Sequence, residues 1–302
     1  MKIANIIEED ELRLYERAGI IAAKALEYAM GLAHVDMPII ELCEKIETYI
    51  RNSGGAPAFP CNISVNDIAA HYTSPPHDLS RIPPRSLVKI DVGVHVRGYI
   101  ADTAGTIAFS PEYEPMISVA KMALERAIEL FKPGANLGHI GHEIEEVISR
   151  HGLRPIRNLT GHLIKPWQLH AGKNVPNVST RISDTIRSGE VYAIEPFVTS
   201  GEGYVVESSE AFIFSYSGGK AKSKDERRLL TYIWRSFRSL PFCERWLVKS
   251  LGEHSLEVLR NLVKRGSVYQ YPVLREVSGQ AVAQWEHTVI VLDREVIVIT
   301  KA

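Results

Sequence analysis

Two aspartates, Asp91 and Asp102, lie on either side of a point where the chain can reverse direction sharply. In segment 88–96, valine or isoleucine occupies every second position, and Asp91 is one of the polar residues between them. This alternation predicts a strand with one apolar face and one polar face. Arg97 and Gly98 follow, and glycine accepts the positive φ that a tight turn requires. We therefore predict a β-hairpin with one aspartate on each strand.

The register of this hairpin determines how close the two aspartates lie. A two-residue turn pairs Asp102 with Gly93, two positions beyond Asp91. The aspartates are then diagonal neighbours on one face, roughly 7–8 Å apart at the backbone. Buried carboxylates at such a separation repel each other unless a cation accompanies them or one of them is protonated. The hairpin alone leaves a second interpretation open, a solvated strand face that carries two acids.

Further groups that can bind metal lie downstream. His162 and His170 fall in the segment NLTGHLIKPWQLHAG, and their spacing of eight fits no single helical face. Taken alone, a histidine is more often a surface or core residue than a metal ligand. Glu195 follows an apolar strand and precedes a proline, while Glu286 lies within a strand that is otherwise predicted to be buried. An acid is costly to bury there unless a cation or hydrogen bonds accompany it.

Together these side chains form a set of ligands rich in oxygen, with one of the two histidines as the single nitrogen donor: two aspartates, Asp91 and Asp102, and two glutamates, Glu195 and Glu286. Such a set suits a pair of Mn, Fe, Co or Zn ions and lacks the thiolates of a structural zinc site. Two ions about 3.5–4 Å apart can activate water and stabilise the oxyanion that forms when a carbonyl is attacked. The chemistry indicated is metal-assisted hydrolysis.

Segments of regular spacing surround these residues. The apolar periodicity predicts helices over 10–32, 37–53, 112–131 and 137–151. Strands and turns are predicted over 56–109, 156–214 and 281–300.

Segment 216–275 differs from the rest of the chain in charge. It holds 13 Lys and Arg against 5 Asp and Glu, so it is strongly basic within a chain of net charge −1. Apolar residues recur at helical spacing in two stretches: Leu230, Ile233, Trp234 and Phe237, then Leu256, Leu259 and Val263. This predicts a helical insertion whose basic surface is either a solvated face or a docking surface for ribosomal RNA.

The overall composition is that of an ordinary enzyme. The near-zero net charge provides no general attraction to nucleic acid or membranes. Three cysteines without a CxxC pair favour reduced thiols. The N-terminal MKIANIIEEDELRL is too acidic for an export signal, and AGIIAAKALEYAMGLA is too short and too charged to span a bilayer. We expect a cytoplasmic protein with no membrane partner and no specific DNA partner.

The order of the five candidate ligands and their flanking sequence resembles the pita-bread metallopeptidases, and within them the type 2 methionine aminopeptidases in their short archaeal form. The stretches that carry the resemblance are PAFPCNISVNDIAAHYT, DVGVHVRGYIADTA, NLTGH, LHAG, IEPF and AQWEHT. Glu286 follows Glu195 by 91 positions, which leaves room for the helical insertion that marks type 2. The resemblance extends over nearly the whole chain.

This resemblance implies a fold and an activity. The fold is an α+β pita-bread catalytic domain over 1–215 and 276–302, with residues 216–275 as a helical insertion subdomain. The activity is hydrolysis of the initiator methionine from nascent polypeptide N-termini, with a preference for a small second residue. Two divalent metal ions, Co, Mn, Fe or Zn, are the implied cofactors.

The resemblance also implies a role for each matching residue. Asp91 binds one ion through both oxygens, Asp102 and Glu286 bridge the two ions, and His162 and Glu195 complete the other. His170 stabilises the tetrahedral intermediate, His71 contacts the substrate backbone, and Glu195 also transfers protons to the leaving amine. The counterpart of His71 is the residue that fumagillin-type inhibitors alkylate. The implied methionine pocket is lined by Phe59, Leu169, Phe197 and Tyr271.

Two alternatives remain. An Xaa-Pro peptidase can share this fold, although such enzymes usually carry an additional N-terminal domain, and the sequence EHT at Glu286 differs from theirs. A non-catalytic pita-bread protein that binds RNA or the ribosome through the basic insertion is the second. Such relatives lose metal ligands, whereas all five are present here.

Overall fold

The computed structural model describes residues 7–301. Residues 1–6 and Ala302, which belong to the predicted catalytic domain, lie outside the described part, as does the start of the acidic N-terminal segment. Two helices come first, α1 (Glu9–Leu32) and α2 (Ile39–Asn52). Both agree with the predicted ranges to within two residues. A capping box starts α1, in which Glu8 and Glu11 each accept a hydrogen bond from the other's backbone N–H.

The strands that follow build the first part of the site. They are β1 (Ala56–Pro57), β2 (Asn62–Val65), β3 (Ile68–Ala70), β4 (Leu87–Val96) and β5 (Tyr99–Ala108). A short 3₁₀ turn (Pro111–Tyr113) then leads into α3 (Glu114–Leu130) and α4 (Leu137–Arg150). The two helices predicted for this region are confirmed.

Short strands make up most of the next region: β6 (Arg154–Pro155), β7 (Thr160–Ile164), β8 (Asn174–Pro176), β9 (Val191–Ile194), β10 (Phe197–Thr199) and β11 (Val205–Tyr216). The chain continues with α5 (Lys224–Phe237), β12 (Phe242–Cys243), α6 (Glu244–Leu251) and α7 (His254–Lys264). It closes with β13 (Val268–Glu276), β14 (Val282–Gln284), β15 (His287–Val291) and β16 (Val296–Val298).

These strands form four antiparallel sheets. The β4–β5 hairpin is flanked by β1 and β2, both of which pair with β4. A five-stranded sheet has the order β16-β15-β9-β7-β8, and a three-stranded one the order β14-β10-β6. The fourth sheet has the order β12-β11-β13-β3, and its strand β12 connects α5 to α6 in the chain. Helices and antiparallel sheets thus form the predicted α+β architecture.

The helices cover the outer faces of the sheets. Helix α1 packs on the β4–β5 hairpin, and α3 and α4 share a second apolar cluster with residues of β7, β9 and β15. Gly19 lets the C-terminal segment approach α1 closely, because a Cβ at this position would lie 2.1 Å from the carbonyl oxygen of Ile299. Among the described residues, no helix is long and apolar enough to cross a membrane.

Helices α5, α6 and α7 enclose an apolar cluster of their own. Its buried members include Leu229, Leu230, Ile233, Trp246, Leu247, Leu259 and Leu262. The predicted apolar face is wrong at Trp234, which is 44% exposed and lies beside the Tyr216 ring, with the Arg238 guanidinium over it. The C-terminal part of segment 216–275 is strand rather than helix, because β13 pairs with β11 and β3.

A buried ion pair fastens this helical segment to α2. Arg245 on α6 donates two hydrogen bonds of 2.9 Å to the carboxylate of Glu47, and the indole of Trp246 donates a third, of 2.6 Å. Both charged side chains are almost fully buried. Removing one partner would leave a buried charge unpaired, so this contact couples α6 to α2.

Candidate metal centre

The β4–β5 hairpin has the predicted register. Gly93 pairs with Asp102 and Asp91 with Ala104, around a turn in which Arg97 and Gly98 both have positive φ, 54° and 95°. Two positive φ values in succession are typical of the type I′ turn that suits hairpins. The prediction that the two aspartates share one face is therefore confirmed.

The interpretation of this face as solvated is wrong. Asp102 is 3% exposed, and Lys89, two positions before Asp91 on the same face, is 1% exposed. The Lys89 ammonium donates a 2.7 Å hydrogen bond to the carbonyl oxygen of Val282 on β14. The polar face of the hairpin thus packs against the C-terminal strands, which brings Asp102 toward Glu286.

Two glutamates enter the site from matching breaks in neighbouring strand pairs. Glu195 lies in the two-residue break between β9 and β10, and Glu286 in the break between β14 and β15. Since β9 pairs with β15 and β10 pairs with β14, the two breaks face each other. The prediction that Glu286 lies within a strand is wrong, because the strand is interrupted at this residue. The break turns its carboxylate out of the sheet and toward the centre.

His162 comes from β7, where it pairs with Ala193 of β9. Its Nε2 atom lies 3.5 Å from Oδ2 of Asp102 and 3.4 Å from Oε1 of Glu195. Burial lowers the pKa of His162 to about 4. The imidazole is therefore neutral at pH 7, the form in which a histidine nitrogen can bind a metal ion.

Threonine side chains hold the two halves of this centre in register. The Thr288 hydroxyl donates to the backbone carbonyl of Asp102 (2.7 Å) and accepts from its N–H (2.8 Å). Thr106 makes the same reciprocal pair with the backbone of Gln284, at 2.6 and 2.9 Å. Gln284 in turn donates from its amide to Oε2 of Glu286 at 3.1 Å. The backbones that carry Asp102 and Glu286 are thereby fixed relative to each other.

The resulting cluster fits a cation. Ligand atoms of Asp102, His162 and Glu286 all lie within 4.8 Å of one another. Oδ1 of Asp91 and Oδ1 of Asp102 are buried and have no hydrogen-bond partner among the described residues. Buried polar atoms are normally paired, so unpaired carboxylate oxygens in the same cavity as this group indicate a site for divalent metal.

The ionisation of the four acids supports the same conclusion. Burial raises the pKa of Asp102 to about 7 and raises the pKa of Asp91, Glu195 and Glu286 well above its usual range. The negative charge of Asp102 adds to the shift of each of the other three. A divalent cation would reverse this repulsion, because it favours the charged form of every carboxylate around it.

All eleven residues named from the sequence line one cavity. Its empty space, including solvent at the mouth, is about 530 Å³. The five candidate ligands lie together with both histidines and the four predicted pocket residues: Asp91, Asp102, His162, Glu195, Glu286, His71, His170, Phe59, Leu169, Phe197 and Tyr271, of which Glu195 was also named as a proton carrier. The sequence reasoning missed four more lining residues, Asn62, Ala70, Ile213 and Pro241.

The two remaining histidines lie on different walls of this cavity. The His170 ring is 4.3 Å from the His162 ring, edge to face. His71 has a positive φ of 66°, and its Nδ1 lies 3.1 Å from the carbonyl oxygen of Pro272. Because a carbonyl can only accept, Nδ1 carries the proton. Burial lowers the pKa of His71 to about 4, so at neutral pH its Nε2 keeps a free lone pair.

The loop that carries Leu169 and His170 is anchored on the hairpin turn. The backbone N–H of Trp167 donates to the carbonyl of Gly98 at 2.8 Å, and the Trp167 ring lies 4.9 Å from the His95 ring. On its other side, the Ser239 hydroxyl donates to the carbonyl of Trp167. The hairpin and the helical segment therefore both position this wall of the cavity.

Replacing Gly98 by alanine tests this anchoring. A Cβ at Gly98 would lie 2.1 Å from Nε1 of Trp167, so the indole must move. We expect Gly98→Ala to lose about 2–3 kcal/mol of unfolding free energy, since overpacking adds to the cost of a side chain at positive φ. The matched control is Gly134→Ala, which has a similar φ of 86° and nothing within 4 Å of the new Cβ. Urea unfolding that gives equal losses for both variants would contradict the anchoring.

Comparison with known proteins identifies the family. The model of metallopeptidase family M24 matches residues 13–293. The chain belongs to this family. Its M24 relatives include the methionine aminopeptidase of Saccharolobus solfataricus, 44% identical over 97% of this chain and 99% of that protein. The methionine aminopeptidase of Methanothermobacter thermautotrophicus is 43% identical over 95% and 98%. The predicted enzyme class, a metallo-aminopeptidase, is confirmed.

Solved structures show that the M24 fold extends over the whole chain. A thermophilic Arx1 superposes with a TM-score of 0.84 at 18% identity, over 97% of this chain and 91% of that one. The methionine aminopeptidase of Thermotoga maritima gives 0.73 at 21% identity, over 99% and 100%. The prolidase of Pyrococcus furiosus gives 0.64 at 18% identity, over 99% of this chain but only 66% of its own. The predicted pita-bread fold is confirmed.

Proposed function

We propose that this chain is the metal-dependent aminopeptidase that removes the initiator methionine from nascent polypeptides, with a preference for a small second residue. The observation that carries the proposal is a single cavity lined both by the five metal-ligand candidates and by apolar side chains. The full-length relatives named methionine aminopeptidase support the same activity. All five ligand candidates are retained, which argues against a non-catalytic protein of this fold.

The residues present fit two divalent ions, of Co, Mn, Fe or Zn. Asp91 would hold one ion, His162 and Glu195 the other, and Asp102 and Glu286 would bridge them. When bound, such a pair supplies an activated water and positive charge for the oxyanion. The buried Thr288 and Thr106 contacts support this assignment, since they fix the two bridging residues relative to each other.

The protein's own side chains would orient the peptide. With Nδ1 bound to the carbonyl of Pro272, Nε2 of His71 can accept a hydrogen bond from a substrate backbone N–H. His170, an exposed residue that lines the cavity, would donate to the carbonyl oxygen as negative charge develops there. Glu195 is the candidate to carry a proton to the leaving amine, because its carboxylate lines the cavity beside His162.

The apolar part of the cavity suits a methionine side chain. Phe59 and Phe197 are almost fully buried, Tyr271 is partly buried, and Leu169 lies on the anchored loop. A flexible, polarizable thioether packs favourably against aromatic rings. The Tyr271 ring contacts the His71 ring edge to face at 5.6 Å, so the side-chain pocket and the backbone contact adjoin.

A peptide assay with metal analysis tests the proposal. Protein loaded with Mn²⁺ should release methionine from a Met-Gly peptide, a chelator should abolish this release, and a peptide with leucine as second residue should be cleaved far more slowly. Metal binding without cleavage of any of these peptides would favour the non-catalytic alternative. Cleavage of a peptide with proline as second residue in preference to Met-Gly would favour the Xaa-Pro peptidase.

We also propose that segment 216–275 is an insertion subdomain and that its basic surface docks on the ribosome in the cytoplasm. The separate apolar cluster of α5, α6 and α7 supports the first point. Exposed cations on α5, on α7 and directly after α7 support the second: Lys224, Arg227, Arg228, Arg235, Arg260, Lys264 and Arg265. Clustered cations bind phosphate backbones without needing a specific sequence.

Charge reversal tests this docking. We expect Arg227→Glu combined with Arg228→Glu to weaken co-sedimentation with ribosomes about tenfold or more at low salt, and to leave Met-Gly cleavage unchanged. Lys132→Glu with Arg181→Glu, two exposed cations outside the segment, provides a matched control. If both double variants bind ribosomes as the parent does, the basic surface is a solvated face.

A further inference from the structure

Asn62 is a buried amide in the cavity that none of the roles above uses. It lies at the start of β2, is 5% exposed and lines the cavity. Its Nδ2 donates a 3.0 Å hydrogen bond to the carbonyl of Pro60, which fixes the orientation of the amide. Its Oδ1 is buried and has no partner among the described residues. A fixed acceptor without a donor indicates that the donor belongs to a ligand.

The sheet places this acceptor next to a carboxylate and an aromatic wall. Asn62 pairs with Asp91 in the β2–β4 register, so both side chains lie on the same face. The Phe59 ring lies over Gly93, because a Cβ there would be 2.2 Å from the ring. Phe59, Asn62 and Asp91 line the same cavity, so one ligand can contact the ring and the Asn62 amide together.

We propose that Oδ1 of Asn62 accepts a hydrogen bond from the α-amino group of the N-terminal residue of the substrate. The inference rests on the proposed aminopeptidase function and names the group that recognises a free N-terminus. The α-amino group is the one donor present in every substrate of an aminopeptidase and missing from a blocked chain. An amide oxygen suits this role because it stays uncharged at every pH and can only accept.

Two ligands that differ only in the amino group test whether Asn62 recognises that group or has another role in the cavity. L-methionine and 4-(methylthio)butanoic acid share the carboxylate and the thioether side chain, but the second lacks the amine. Calorimetric titration of Mn²⁺-loaded protein gives the affinity of each. We expect Asn62→Leu, of similar volume, to bind L-methionine about tenfold or more weakly and the amine-free acid unchanged, because only L-methionine loses a hydrogen bond.

Two further variants keep the test decisive. Asn62→Ala should give the same selective loss, which covers the case in which leucine does not fold at this position. Phe59→Leu is the contrasting control and should weaken both ligands, because it changes the side-chain wall that they share. A Met-Gly cleavage assay should show the Asn62 defect mainly in KM.

Other outcomes would overturn the inference in distinguishable ways. Equal loss of both ligands in the Asn62 variants would make the residue a part of the pocket wall. Weaker Mn²⁺ binding by the metal-free variants would make Oδ1 a metal ligand. Unchanged L-methionine binding would remove Asn62 from recognition and leave the proposed function intact. If the parent protein binds neither ligand and cleaves no Met-Gly peptide, the proposed function itself fails.

Discussion

Asp102→Asn is expected to abolish Met-Gly cleavage, with a loss on the order of 10³-fold or more. Divalent metal in hydrolysis contributes several kcal/mol of transition-state stabilisation, and each 1.4 kcal/mol corresponds to a factor of ten. Asp102 is 3% exposed and within reach of both His162 and Glu286. The amide keeps the shape of the side chain but removes the charge that would bridge two cations. Steady-state kinetics together with metal content per chain measures both consequences.

The control for this variant is the same substitution at an aspartate that does not line the cavity. Asp293 is exposed in the turn between β15 and β16, so Asp293→Asn should leave metal content and rate unchanged. The fold of Asp102→Asn should survive, since its backbone contacts with Thr288 do not involve the carboxylate. Full activity with a normal metal content would refute the bridging role.

The hairpin could be predicted from sequence because its determinants are local. Alternation with period two set the faces of β4, and Arg97-Gly98 set a two-residue turn, so the pairing of Gly93 with Asp102 followed. The helices α1, α2, α3 and α4 were likewise predicted to within a few residues, because their apolar periodicity is strong.

The environment of the hairpin could not be predicted in the same way. From the sequence alone, Lys89 is expected to be solvated. Its ammonium is instead buried against the carbonyl of Val282, almost two hundred positions away. The matching breaks at Glu195 and Glu286 arise where two strand pairs change sheets, which depends on contacts distant in sequence. A proline after Glu195 was a local signal of one break, whereas Glu286 carried none.

Pocket residues were the least accessible to sequence reasoning. The four named pocket residues came from the family resemblance, and composition alone favoured ordinary core packing for each. Pro241 reaches the cavity from the helical segment, and Ile213 from β11, where it pairs with Tyr271. Asn62 could have been singled out only after its neighbours in space were known, because an asparagine at the start of a strand is unremarkable in sequence.

The largest expected effect on stability is the gain on binding cations, and it should depend on pH. In metal-free protein the folded-state pKa of Asp102 is about 7, well above the usual value for an unfolded aspartate, near 3.9. A raised folded-state pKa gives stability that is fully present below the unfolded pKa and is lost as pH rises toward 7. Asp91, Glu195 and Glu286 shift in the same direction. Metal-free protein thus carries an unfavourable cluster at pH 7.5 that a divalent cation neutralises.

We therefore expect saturating Mn²⁺ to raise the thermal midpoint by roughly 5 °C or more at pH 7.5, and by less than half as much at pH 5.5. The thermal midpoint of the loaded protein or of the metal-free protein alone does not isolate this effect, because buried histidines also make stability depend on pH. His71, His95 and His287 have pKa values lowered to about 4 by burial, so they lower stability as pH falls through about 6.5. These three are common to both forms, and their contribution cancels in the difference between loaded and metal-free protein.

Asp102→Asn decides whether the difference originates in the carboxylate cluster. The variant should show a much smaller Mn²⁺ gain at pH 7.5 and a weaker dependence of that gain on pH, while Asp293→Asn should behave as the parent does. Differential scanning calorimetry of the three proteins, with chelator or with Mn²⁺, gives all of the required midpoints. An equal gain at both pH values would mean that the cations bind away from the buried acids. The variant removes one negative charge from the centre and makes no other change. If the Mn²⁺-induced rise in thermal midpoint persists in Asp102→Asn, the stabilising ions therefore bind elsewhere on the chain.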